Sequence, residues 1–162
     1  MPEHLVPESL VFGYGNPSRG DDALGPAIIE RLRDQLGARG RGQRVELLTD
    51  YQLQPEHALD LRGRSRVLFV DSSSLCAEPC QMKKIVASPG ATVFTHALAP
   101  QALLSVYQRI EGSPPPACWL LAIRGYAFEL GEALSARAAA NLEAALREVT
   151  QWVAQPEVIS LR

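Results

Sequence analysis

Apolar positions along this chain follow two rhythms. Residues 10–15, LVFGYG, form a short apolar run closed by glycines, which reads as a buried strand. Residues 24–37 then place Leu24, Ile28, Ile29, Leu32 and Leu36 at helical spacing. Pro26 fits the first turn of that helix, where its missing N–H costs little. The alternation continues with a strand over 44–49 (RVELLT) and a short helix over 54–62, with Pro55 near its start. Residues 66–72, RVLFVDS, predict a strand buried on both faces. Residues 81–87, QMKKIVA, have a polar half and therefore belong nearer a sheet edge. A helix is expected over 100–110, with Leu103, Leu104, Tyr107 and Ile110 on one face. Residues 118–124, CWLLAIR, predict another buried strand. The last helix runs from Ser135, a good N-cap, to about Val153, with Leu142, Leu146, Val149 and Val153 as its stripe.

Apolar strands alternating with amphipathic helices predict an α/β sandwich with a largely parallel sheet and helices on both faces. The loop GSPPP at 112–116 is too short to act as a linker between domains, so a single domain over 1–162 is expected, with its core at about 10–154. Ligands bind such sheets beyond the carboxyl ends of the strands. Three segments stand there: 13–25 (GYGNPSRGDDALG), 71–74 (DSSS) and 91–100 (ATVFTHALAP).

The first segment lacks both phosphate-binding signatures. Position 18 is Ser, which breaks G-x-G-x-x-G, and no Gly-Lys-Ser/Thr follows. Instead Asp21 and Asp22 stand together at a helix mouth. One of them is accounted for by capping and the helix dipole. Both together repel an anion and favour a cation. Asp71 ends an otherwise apolar strand, and His96 stands in the connection before a helix. Two carboxylates and an imidazole would suit a borderline divalent ion such as zinc or nickel, with positions left open for substrate. His4, in the N-terminal tail, and His57, on a short polar helix, read as structural histidines without a functional role.

Cys76 and Cys80 are spaced C-x₃-C and Cys118 is remote, which is one thiolate short of a Cys₄ site. Ser72, Ser73 and Ser74 lack the G-x-S-x-G context of a nucleophile elbow. A Ser or Cys hydrolase is therefore disfavoured. Glu129 and Glu132 flank Gly131 in an acidic turn, which either is simply exposed or meets a basic partner segment.

Formal charge is −2, so no nucleic-acid footprint is indicated. No apolar run approaches the roughly 18 residues of a membrane span, and the N-terminus does not read as a secretory signal. Three cysteines make no disulfide framework, so a cytoplasmic protein with reduced thiols is expected. Oligomeric state leaves no trace in the sequence, and a monomer is the default expectation.

VFGYGNPSRGDDALGPAIIERL resembles the opening of the nickel–iron hydrogenase maturation endopeptidases: a strand, a Gly-x-Gly-Asn turn, then an acidic pair leading into the first helix. VLFVDSS is similar to their strand ending in Asp, and FTHALAPQALL to their histidine loop. The likeness spans roughly residues 10–150 in the family's order. It implies one α/β/α domain around a twisted five-stranded sheet with one antiparallel edge strand. The implied activity is removal of a C-terminal extension from the hydrogenase large-subunit precursor after nickel insertion. Nickel, carried by the substrate, would contact Asp22, Asp71 and His96, and other divalent ions could enter the same site. Apart from what the resemblance implies, a carboxylate at Asp22 or at Asp71 could act as general base toward a water, with the choice between them left open. Asp22 stands where some members carry Glu, and DSSS replaces the commoner Asp-Ala. Three readings remain beside this one: a Rossmann-like nucleotide module, a non-catalytic maturation chaperone and a conventional zinc hydrolase.

Overall fold

The computed structural model describes residues 7–39, 45–88 and 98–155. Five strands form one sheet: β1 (Ser9–Tyr14), β2 (Val45–Asp50), β3 (Arg66–Ser73), β4 (Cys80–Ile85) and β5 (Ala117–Arg124). Their spatial order is β2-β1-β3-β5-β4. The first four in space are parallel, and β4 runs antiparallel to β5 at the edge. Three helices, α1 (Leu24–Arg39), α2 (Pro100–Glu111) and α3 (Ala136–Ala154), accompany the sheet, with 3₁₀ segments at Gly20–Ala23 and Pro55–Leu61. The expected α/β architecture, edge strand included, is therefore present.

Two cores flank the sheet. Val11, Leu68, Val70, Leu121 and Ile123 pack against Ile28, Ile29 and Leu32 of α1 and Leu142, Leu146, Val149 and Val153 of α3. On the other face Leu10, Phe12, Val67, Phe69 and Cys118 meet Leu103, Leu104 and Tyr107 of α2 and Leu61 of the 3₁₀ helix. Ser135 caps α3 as expected, accepting a hydrogen bond from the Ala138 N–H at 3.2 Å.

Some expectations shift. The helix over 54–62 is 3₁₀ throughout, with Pro55 at its start and Gln54 and His57 closing a reciprocal cap. Ile110 leaves the α2 stripe and is 52% exposed, because that helix ends one residue later at a left-handed Gly112. The strand over 118–124 is only half-buried at Leu120 and Ala122.

Among the described residues, no helix is long and apolar enough to cross a membrane.

Candidate functional site

The chain leaves β1 toward one sheet edge and leaves β3 toward the other, so the strand order reverses between these two neighbours. A crevice at such a reversal is where open α/β sheets bind ligands. Both carboxylates singled out from the sequence lie there. Asp71 ends the apolar part of β3, and Asp22 belongs to the 3₁₀ turn that follows β1.

Glycines bring the turn this close. Gly15 has a φ of +148°, and a Cβ on it would stand 2.0 Å from the Asp22 carbonyl oxygen. A Cβ on Gly25 would stand 2.4 Å from the Tyr14 carbonyl oxygen and 2.8 Å from that of Val70. No side chain fits at either point, so the helix entrance lies directly against the ends of β1 and β3.

The two adjacent acids have separate tasks. Asp21 is fully buried. Its Oδ2 accepts from the N–H groups of Tyr126 (2.7 Å) and Ala127 (3.0 Å) and from the Ser135 hydroxyl (2.8 Å), and its Oδ1 from the Ser135 N–H (2.7 Å). Burial alone would raise its pKa, but these hydrogen bonds outweigh it and hold the carboxyl below the usual range. Asp21 thus ties the loop after β5 to the turn after β1. Asp22 is only half-buried and faces the crevice. Its Oδ2 accepts from the Asn16 N–H at 2.7 Å and its Oδ1 from the Ser72 hydroxyl at 3.2 Å.

Asp71 is pushed up to about 7. Desolvation is the main cause and the nearby charge of Asp22 the next, only partly offset by hydrogen bonds from the Ser72 N–H and the Tyr14 hydroxyl. Tyr14 is itself held well above its ordinary value by burial and by the facing Asp71 and Asp22. It remains a neutral donor at any ordinary pH. Two close carboxylates of this kind favour a proton or a cation between them. Replacing Tyr14 by phenylalanine should raise the Asp71 titration midpoint above about 7, because the hydrogen bond that favours the charged form is lost. Carboxyl chemical shifts of carbon-13-labelled Asp, followed against pH, check this.

His96 lies outside the described residues, as does most of segment 91–100. Among the described residues no three His, Cys, Asp or Glu side chains form a metal-holding group. Asp22 and Asp71 would supply two oxygen ligands, and a third must come from elsewhere. Tyr14 and Asn16 touch the two carboxylates and were not singled out in the sequence, while Ser72, set aside there as a nucleophile, hydrogen-bonds to Asp22. Only Tyr14 left a signal there, as the polar-tipped residue between two glycines at a strand end.

The cysteines are all free. Burial pushes the Cys118 thiol up to about 12 and raises that of Cys80, which removes both as nucleophiles at neutral pH. The turn holding Glu129 and Glu132 folds back on the β1 loop through its backbone: the Gly131 N–H donates to Ser18 and the Gly20 N–H to Glu132. A cleft of about 390 Å³ opens from Asp71 across Ala122 toward Gln81 and Lys83.

No protein-family model matches the chain. No curated protein matches it by sequence either. Solved structures do. The hydrogenase maturation protease HycI from Thermococcus kodakarensis superposes with a TM-score of 0.69 at 22% identity, over 92% of this chain and 94% of the other. The hydrogenase maturating endopeptidase HybD from Escherichia coli gives 0.67 at 24% identity, over 89% and 90%. An endopeptidase from Escherichia coli gives 0.63 at 26% identity, over 87% and 88%. The chain thus has the fold of the hydrogenase maturation proteases, the family its sequence resembles.

Proposed function

We propose that this protein is an endopeptidase that removes the C-terminal extension of a nickel–iron hydrogenase large-subunit precursor once nickel is in place. The observation that carries the reading is the Asp22–Asp71 pair, set at the strand-order reversal of a fold shared with hydrogenase maturation proteases. A processing enzyme of this kind must not cut too early. Nickel borne by the substrate supplies that check if Asp22, Asp71 and His96 grip the precursor through the metal, since a metal-free precursor then lacks its anchor.

Asp71 suits such a gate. With no cation present, burial and the facing charge of Asp22 favour its protonated form far more than for an ordinary aspartate. Arrival of the nickel-bearing segment releases that proton to solvent and converts the pair into oxygen ligands. The metal then anchors and polarises the scissile region. One of the two carboxylates acts as general base toward the attacking water. The proposed setting is the cytoplasm, with the hydrogenase large-subunit precursor as the partner.

The test is processing of a nickel-loaded precursor, followed by intact mass, with wild type and with His96→Ala. Loss of processing by at least 100-fold in a variant with unchanged circular dichroism and melting is expected. A folded His96→Ala protein that cuts at the wild-type rate removes His96 from the site.

A further inference from the structure

Among the described residues, the sheet face that packs against α2 is not fully covered at its carboxyl end. The strand pairing places Asp71, Ala122 and Gln81 in one row across β3, β5 and β4, with Phe69, Leu120 and Lys83 in the row below. Phe69 is buried in the core under α2, but Leu120 and Ala122 stay half-buried although β5 is an internal strand. Above them lies the cleft of about 390 Å³. That is within the range of roughly 300–1,000 Å³ usual for ligand clefts.

The two ends of the cleft differ in charge. Asp71 stands at one end and Lys83 at the other. Lys84, the next residue, faces the opposite side of the sheet and lies over the Trp119 ring at 5.5 Å. Lys83 is exposed and forms no ion pair among the described residues. Between the ends the floor is apolar, from Leu120 and Ala122, with Ser72 and Gln81 as polar borders. Two strand spacings of about 4.8 Å and two residue rises of about 3.3 Å separate Lys83 from Asp71, so their Cα atoms stand roughly 12 Å apart. An extended peptide covers that distance in about three to four residues.

We infer that this cleft seats the extended stretch of the substrate next to its scissile bond, and that Lys83 selects for an acidic side chain three or four residues from the cut. The inference rests on the protease reading proposed above. An apolar floor with polar borders takes small side chains and a peptide backbone, and the exposed Lys83 ammonium supplies the sign preference.

End-blocked hexapeptides of Ala and Ser, each carrying one Glu, Gln or Lys at a central position, test it without any cleavage. Binding is read from amide shifts of the nitrogen-15-labelled protein. The Glu peptide should bind about fivefold more tightly than the Lys peptide, with shifts centred on Ala122 and Gln81. Lys83→Glu should reverse the order. Equal affinity for the three peptides, or no binding by any of them at millimolar concentration, overturns the inference. So does a preference that Lys83→Glu leaves unchanged. A reversed preference in a protein that processes no precursor leaves the cleft assignment standing and defeats the protease reading instead.

Discussion

Replacing Asp21 by alanine should destabilise the protein by about 3–4 kcal/mol, because four half-buried donors lose a fully buried charged acceptor. For a chain of this size that lowers the melting temperature by roughly 10 °C. Asp21→Asn should cost nearly as much, since its amide would point a donor at other donors. The loss follows from the four hydrogen bonds that join the carboxylate to Tyr126, Ala127 and Ser135. The pH dependence has a definite sign. The folded carboxyl lies below its ordinary value, so its contribution is present above about pH 4 and fades as pH falls through the folded pKa. Wild type should therefore lose stability in acid faster than Asp21→Asn does. Chemical denaturation of both proteins between pH 3 and 7 checks this.

Asp71→Asn should behave in the opposite way, abolishing processing while stabilising the fold. Its carboxyl is raised from 3.8 to about 7 in the folded protein. A raised acid favours folding only while protonated: the contribution is full below the unfolded pKa and is lost as pH rises through about 7. At pH 8 the wild type carries a charge that is poorly solvated and faces Asp22. The neutral amide removes both penalties. The gain should be about 1–3 kcal/mol at pH 8, discounted because the group keeps some solvent, and close to nothing at pH 4. Stability gained where activity is lost is the signature of a group kept for chemistry. Urea denaturation at the two pH values, beside a processing assay, measures both halves.

These opposed outcomes come from one residue type, because environment and not identity sets what each aspartate does. The order of strands and helices was legible because each element has a single rhythm. The apolar run in β3 and the stripe of α3 leave no other period. The placement of Asp22 and Asp71 at one end of the sheet was legible because parallel strands share one carboxyl end. The division of labour between Asp21 and Asp22 was not. It depends on which carboxylate meets the loop after β5, some 105 residues away in sequence, and no local pattern carries that contact. The Tyr14 hydroxyl on Asp71 was hidden for the same reason: it crosses between strands that are paired in space but distant in sequence. The half-open face of β5 was missed because CWLLAIR is apolar enough for burial on both sides. The half-burial of Leu120 and Ala122 is set by tertiary packing, which no local pattern carries.

The most direct test of the account is intact-mass analysis of a hydrogenase large-subunit precursor incubated with the purified protein, once nickel-loaded and once nickel-free. A discrete loss of C-terminal mass in the nickel-loaded sample alone is the predicted result. Cleavage of the nickel-free precursor at the same rate would contradict the metal gate at Asp22, Asp71 and His96. Binding of the loaded precursor with no loss of mass would contradict the protease itself.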